Sequence, residues 1–414
     1  MKMLTSETVN QNGPNGWNTR GGQSERREGV QPLYPDIGII GLVPDNWQSP
    51  WQPRHHVLSR LAQWFHVVWV DPAQEWRERR RPEAACGPLP PNFDVYGTEW
   101  WLPKIYKPRW LATHLKHARL RRAHQRLLHK GCRRIVLYIW RPEHAYALDV
   151  LPHDMSCYHI DDEYSFSPVD QPISLAEQNL LHRADQVIVH SIGLFEKKGH
   201  CNPNTILVPN GVDFAAFCTS VPEPPDLAAI PRPRVGYIGY LKPQLDFRLL
   251  LHLAERHRQW SFVFVGPQGF LQGDDLDLID RLKALPHVHF LGKKPVEMLP
   301  AYAQGVTVSI MPYKVNDYTK YIFPMKLHEY LATGLPVVGS PIRSLQQFRE
   351  VVTLATTGDE WSQALTGALQ PTAMASDVIA HRRQVAHDYD WMVLVSRIAQ
   401  RICTHFGKRF TSAC

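Results

Sequence analysis

VPEPPDLAAIPRPR, residues 221–234, places five prolines in fourteen positions. Proline fixes φ and removes a backbone donor, so this stretch continues neither a helix nor a sheet and reads as a stiff linker between domains. After it, Arg234–Gly239 (RVGYIG) reads as a strand, Asp246–Arg256 as a helix and Phe262–Gly266 (FVFVG) as a strand. The alternation continues with a helix at Leu276–Leu285, a strand at Val288–Leu291 and a short helix at Pro300–Ala303. A strand at Val306–Met311, a helix at Met325–Ala332 and a strand at Pro336–Gly339 complete it. Strands alternating with helices predict a parallel sheet covered on both faces.

Before the prolines runs a similar series. Asp36–Val43 (DIGIIGLV), Val67–Val70, Ile135–Ile139, Cys157–Ile160, Gln186–His190 and Thr205–Val208 read as strands. Helices are expected at Val57–Phe65, at Arg109–Lys130 and at Leu175–His182, the last capped by Ser174. Residues 72–106, rich in Pro and Arg, read as loops, and residues 1–34, nearly without apolar periodicity, as a disordered tail. Asp390 is placed to cap a last helix with the apolar face Trp391, Leu394, Val395, Ile398 and Ile402. The expected fold is α/β: two tandem Rossmann-like domains, 35–220 and 235–388, face an interdomain cleft, and a C-terminal helix, 389–408, crosses back to the first. In such sheets ligands sit beyond the carboxyl ends of the strands, and clefts between domains collect small-molecule sites.

An apolar content of 44% with 21% charged residues excludes a wholly disordered, collagen-like or disulfide-scaffold chain. No apolar run approaches a membrane span and the start carries no apolar signal region, so a cytoplasmic location is expected. Seven scattered cysteines without a C-x-x-C, and histidines without H-E-x-x-H spacing, predict a reduced setting and no metal site. The net charge of +7 is concentrated: residues 101–150 hold 12 Lys or Arg against 2 acidic residues.

Pro324-Met325-Lys326-Leu327-His328-Glu329-Tyr330-Leu331-Ala332-Thr333-Gly334 is the most informative segment. Pro324 suits a first helical position and Gly334 a helix stop. Phe323 has no capping oxygen, which leaves first-turn amides for an anion such as phosphate. Lys326 and Glu329, three apart, share a helix face, where they could address a diphosphate and a ribose diol or simply pair with each other.

The segment resembles the donor-binding helix of GT-B glycosyltransferases, in particular the family-4-like (group 1) set. Val208-Pro209-Asn210-Gly211-Val212-Asp213 is similar to that family's signature before the interdomain linker, and Val235-Gly236-Tyr237-Ile238-Gly239 to the opening strand and loop of its donor domain. Phe290-Leu291-Gly292, Leu299-Pro300 and the Trp391 helix follow in the family's order. The resemblance covers about 36–405, most strongly 205–340, and implies transfer from a UDP- or GDP-sugar co-substrate with no bound cofactor. It assigns the ribose hydroxyls to Glu329 and the diphosphate to Lys326, and places Gly239, Lys242, Met325 and Tyr313 around the donor. Where many relatives have a second glutamate, eight positions before Glu329, this chain has Tyr321. That departure puts the usual donor-sugar contact, and a retaining mechanism, in question. Teichuronic-acid-type and xanthan-type bacterial polysaccharide transferases share the Pro-Met-Lys segment, and the xanthan-type branch implies inversion by an aspartate base in the first domain.

Ser156-Cys157-Tyr158-His159-Ile160-Asp161-Asp162-Glu163 puts carboxylates at the cleft end of a strand. Asp162 or Asp161 is a candidate base, because crowded carboxylates raise one another's pKa; a solvated acidic loop is the plain alternative. Trp47-Gln48-Ser49-Pro50-Trp51-Gln52-Pro53-Arg54-His55-His56 follows the first strand, and offers an acceptor-stacking surface with His56 as a second candidate base, or just a packed loop. The carboxylate pair could suggest a metal, but lysines and helix amides suffice for the leaving diphosphate. The basic helix, with Trp100, Trp101 and Trp110, reads as a surface (109–130) for anionic lipid headgroups, suiting a lipid-linked sugar acceptor at the inner membrane face. A solvated basic face is the alternative. Nucleic acid ranks below the membrane because no nucleic-acid fold motif appears. Rival functions are a nucleotide-sugar epimerase of the same architecture and an inactive nucleotide-sugar- or membrane-binding partner subunit.

Overall fold

The computed structural model describes residues 31–73, 89–97, 104–165, 167 and 169–413. The expected tail 1–30, Cys86, Trp100, Trp101 and Cys414 lie outside them. The first sheet is built from β1 (Ile37–Leu42), β2 (His66–Val70), β3 (Phe93–Tyr96), β4 (Arg134–Ile139), β5 (Met155–Ile160), β6 (Gln186–Val189) and β7 (Thr205–Leu207), in the order β3-β2-β1-β4-β5-β6-β7. Every pairing is parallel. The second holds β8 (Arg234–Ile238), β9 (Ser261–Val265), β10 (Val288–Gly292), β11 (Val308–Met311), β12 (Val337–Gly339) and β13 (Thr353–Leu354), in the order β10-β9-β8-β11-β12-β13, also parallel. Strand order reverses between β1 and β4 and between β8 and β11, which puts a ligand crevice at each of those carboxyl ends.

The central strand β1 is buried throughout and lies between two helix layers. A Cβ on Gly38 would sit 2.8 Å from Leu127 of the Arg109–His129 helix, and one on Gly41 2.7 Å from Leu58 of the Pro53–Leu61 helix. Glycine lets both helices approach to this distance.

The chain crosses between the sheets upstream of the prolines. Val212 N–H donates to Tyr389 O at 3.1 Å and Trp391 N–H to Val212 O at 3.0 Å, so the outgoing and returning segments pair. Residues 221–234, expected as a stiff linker between the domains, instead form a short helix at Pro225–Ala228 and bury Leu227 and Ile230 in the second core. Arg234 anchors them through Glu223 and the carbonyls of Ile230 and Gly305. The Trp391–His405 helix begins as expected, Asp390 accepting from Met392 N–H at 2.7 Å, and its apolar face joins the first core. Residues 31–34 are not a loose tail: Tyr34 stacks on Phe65 and its hydroxyl reaches Arg409 O at 2.7 Å.

Candidate active site

Asp161 and Asp162 leave β5 together and take different partners. Asp161 Oδ2 accepts from Arg54, whose guanidinium also grips Asp45, and Asp161 Oδ1 lies 3.2 Å from the Tyr164 hydroxyl. Its side chain is 6% exposed, with both oxygens engaged. Asp162 faces the second domain. Its Oδ1 accepts from Glu163 N–H at 2.8 Å, and the Tyr318 hydroxyl donates from across the cleft, 3.1 Å from Oδ1 and 3.3 Å from Oδ2. Burial, then the charge of Asp161, raises the Asp162 pKa to about 6, while the Glu163 N–H, the Tyr318 hydroxyl and Lys242 pull it down. Such a carboxylate is ionised at neutral pH and more basic than an exposed one, as a proton acceptor should be.

Opposite it, the carboxyl ends of β8 and β11 and the start of the Lys326–Thr333 helix converge. Gly266, at φ +141°, is so close to the β8 loop that a Cβ there would lie 2.2 Å from Gly239 O. A Cβ on Gly239, at φ +146°, would meet Lys326 Cε at 2.8 Å and Nζ at 3.0 Å. Bare backbone at both positions lets Lys326 lie across the loop, its Nζ 5.2 Å from the centre of the Tyr237 ring. Tyr313, buried, lies near enough to Lys326 and Tyr237 to act on the charge of both. Burial opposes the charge on Lys326, but Tyr313, Tyr330 and Glu329 outweigh it and leave the ammonium favoured. Burial pushes the Lys242 pKa down, with Lys326 adding to the effect while Tyr313 and Asp162 oppose it. Burial raises the Glu329 pKa and Lys326 partly offsets this. The crevice thus places Lys326 across the Gly239 loop, with the Glu329 carboxylate one turn along the helix.

The helix start departs from expectation in one respect. Its N-cap is Met325, without a side-chain cap, but Leu327 N–H reaches Pro324 O at 3.2 Å and Glu329 N–H reaches Met325 O at 3.5 Å. The Leu327 bond leaves one first-turn amide fewer for an anion than the sequence suggests. Gly334 stops the helix at φ +82° as expected. Asn210 of the V-P-N-G-V-D stretch donates to Phe323 O at 2.8 Å, tying the crossover to the helix entrance.

Three expected site residues are placed elsewhere. The His56 ring stacks on Trp391 at 4.9 Å and its Nδ1 lies 3.1 Å from Arg60 Nη1. Burial holds its pKa well below the ordinary value, so it packs the C-terminal helix as a neutral ring, a poor candidate base. Met325 packs against the first core. The Tyr321 hydroxyl donates to Asp170 of the first domain at 2.7 Å, its ring lies 4.9 Å from both Lys197 and Lys320, and its carbonyl accepts from Ser191 Oγ at 2.7 Å. Tyr321 therefore bridges the domains and is not aimed at a donor sugar. Tyr318, Arg54 and Arg141 were missed by sequence reasoning. Arg141 follows β4 and lies over the Tyr164 ring at 4.4 Å, where Asp161 and Asp162 act on its charge. Arg54 stood inside the Trp47–His56 stretch, masked by its aromatic neighbours; no spacing signal marks Tyr318.

The Arg109–His129 helix buries only a narrow stripe, Leu120, Ala123 and Leu127, while Trp110 is 70% and Tyr106 60% exposed. It carries six Lys or Arg and no Asp or Glu. No described helix is long and apolar enough to cross a membrane, and no group of three or more His, Cys, Asp or Glu among the described residues could hold a metal ion.

Residues 232–380, which include the crevice with Lys242, Lys326 and Glu329, match the family model "Glycosyl transferases group 1". Residues 232–380 are thus a group 1 glycosyltransferase domain, and the two-sheet architecture around it is the GT-B fold. It is 29% identical over 235 residues to a Bacillus subtilis protein assigned to teichuronic acid biosynthesis as the glycosyltransferase TuaH, a match covering 55% of this chain and 58% of that one. It is 26% identical over 211 residues to the phosphatidyl-myo-inositol mannosyltransferase of Mycolicibacterium smegmatis, covering 47% of this chain and 50% of that one. The matches thus span 58% and 50% of the two relatives. Among solved structures, sucrose-phosphate synthase from Thermosynechococcus elongatus superposes with TM-score 0.67 at 18% identity, over 91% of this chain and 99% of that one. Anabaena HepE in complex with UDP and glucose superposes with TM-score 0.63 at 17% identity, over 89% and 99%.

Proposed function

We propose that this glycosyltransferase moves a sugar from a UDP- or GDP-sugar to a lipid-linked glycan acceptor, with inversion at the anomeric carbon, in polysaccharide or glycolipid synthesis. The observation that carries the reading is the juxtaposition across the cleft: the Tyr318 hydroxyl of the second domain reaches Asp162 of the first at 3.1 Å, and Lys326 lies across the Gly239 loop in the second. In the step, an acceptor hydroxyl gives its proton to Asp162 Oδ2 as its oxygen bonds to the anomeric carbon. The bond from that carbon to the phosphate oxygen breaks, and the nucleoside diphosphate leaves with the electron pair. Lys242 and Lys326 meet the charge that develops there, the preorganised arrangement that lowers such a barrier most. Glu329 accepts from the ribose hydroxyls. The two ammonium groups provide the neutralisation, so turnover without a divalent metal is part of the proposal. The Tyr321 position, occupied by a domain bridge, contributes no carboxylate to the donor sugar, which supports inversion over retention. The crossover at 210–213 and 389–391 is the hinge about which the two sheet domains close. The cationic Arg109–His129 helix rests on anionic lipid at the cytoplasmic membrane face.

The test is the melting-temperature shift caused by a panel of UDP, GDP, UDP-glucose, UDP-glucuronate and GDP-mannose, with and without EDTA, in wild type and Glu329→Ala. One nucleotide family should stabilise the wild type equally in EDTA and fail with the variant. No shift from any member, or a shift that EDTA abolishes, counts against the donor site as drawn.

A further inference from the structure

We infer that Tyr318 is a positioning residue delivered by the donor domain to the base of the acceptor domain, so that the base is complete only when the two domains are together. This rests on the reading of Asp162 as the proton acceptor.

Tyr318 lies between β11, which ends beside the donor crevice, and the Lys326–Thr333 helix. The loop around it is held at both ends. On the donor side, Thr319, fully buried, donates from Oγ1 to Lys314 O at 2.7 Å, and Asn316 Oδ1 accepts from Tyr318 and Thr319 N–H at 3.1 and 2.9 Å. On the acceptor side, Asp170 N–H reaches Asp317 at 3.3 Å, Asp170 accepts from Tyr321, and Ser191 donates to the Tyr321 carbonyl. A Cβ on Gly193 would lie 2.4 Å from Lys320 O, so the first domain presents bare backbone where the loop lands. The loop is thus built to dock on the first domain, and at its centre the Tyr318 hydroxyl spans both oxygens of Asp162.

The chemistry of that contact has a definite sign. A phenol donates to a carboxylate and favours its charged form. Burial and Asp162 push the Tyr318 pKa far up, so it stays a donor throughout the working range. The other groups facing Asp162 are Asp161, which raises its pKa, Lys242 and the Glu163 N–H, which lower it, and Arg141. Asp161 is occupied by Arg54 and Tyr164, which leaves the Tyr318 hydroxyl as the contact from the second domain that orients the carboxylate. Domain closure would then hold Asp162 in one orientation beside the bound donor. Domain opening would release it.

The test is Tyr318→Phe, which deletes one oxygen and keeps the ring. In the full-length protein with 13C-labelled aspartate carboxyls, Asp162→Asn identifies the Asp162 resonance. Its titration midpoint should move upward by at least half a pH unit in Tyr318→Phe. Nucleotide release from UDP-glucose or GDP-mannose, whichever the wild type hydrolyses, should fall about twofold or more at pH 6 and recover as pH rises, with KM for the donor unchanged. An unmoved or lowered midpoint overturns the inference even if Asp162 is the base. Full turnover in Asp162→Asn defeats the base reading instead, and with it the inference's catalytic meaning, whatever the midpoint does.

Discussion

Lys326→Met removes an ammonium from the donor crevice and keeps the aliphatic stem that lies over Tyr237. If that ammonium exists to meet a diphosphate, its loss must weaken diphosphates selectively. Two unit charges at about 4 Å attract by roughly 4 kcal/mol at an effective dielectric constant near 20. Part of that is cancelled by stripping water from both, and hydrogen bonds to charged groups net about 1.5–3 kcal/mol. The dissociation constant of the matching nucleoside diphosphate should therefore rise roughly 10- to 150-fold. Lys242 limits the loss, because Lys326 disfavours its charge and relief of that repulsion strengthens the remaining cation. The free nucleoside, with no phosphate, should bind both proteins alike. Titration calorimetry of UDP, GDP, uridine and guanosine with wild type and variant reads each value directly, so a small change in folding stability does not confound it. Equal losses for nucleoside and diphosphate, or no loss at all, would refute the assignment of Lys326 to the phosphates.

Asp162→Asn should reduce transfer by about 10²–10⁴, the range of a general base, measured as nucleotide release with acceptor present. Asp161→Asn should retain much of the rate and move the acid limb of the pH–rate profile below 6, because it removes one of the two causes that raise the Asp162 pKa; an upward move would contradict the division of roles. Gly266→Ala puts a methyl 2.2 Å from Gly239 O at a φ few side chains adopt. A cost of about 2–3 kcal/mol, roughly 5–10 °C in melting temperature, is expected, along with weaker diphosphate binding. Gly367→Ala, in the Gly358–Ala368 helix with open space around the added methyl, should be neutral or stabilising by up to about 1 kcal/mol, and a large loss there would show that melting does not report local contacts. Arg109→Glu combined with Lys116→Glu and Arg121→Glu should weaken sedimentation with phosphatidylserine vesicles by up to about 3 kcal/mol and leave nucleotide binding intact; unchanged vesicle binding would remove the membrane surface from the proposal.

Both sheets were legible in the sequence because parallel strands buried on two faces read as apolar runs such as IGIIGL and FVFV. The two strands that were missed are edge strands: β3, whose middle residues Asp94 and Val95 are only half-buried, and β13, which has two residues. Prolines marked residues 221–234 as irregular, but composition cannot say that Leu227 and Ile230 find a core, so the crossover was placed too late along the chain. At the candidate site, Lys326, Glu329 and Asp162 could be picked out because motif and strand end are local. Tyr318 was not, since its value comes from Asp162, 156 positions away. Tyr321 and His56 were misplaced for the same reason: their partners, Asp170 and Trp391, come from distant segments that no local spacing reveals.

The central claim is that a carboxylate from the first domain activates the acceptor for inverting attack on a nucleotide sugar held by the second. The measurement closest to it is the anomeric configuration of the first product, followed by proton NMR during turnover with a lipid-diphosphate-linked sugar acceptor and the donor that the binding panel selects. An axial donor bond should become an equatorial product bond in wild type, with no product from Asp162→Asn over the same time. Retention of configuration, or full turnover by that variant, would contradict the claim.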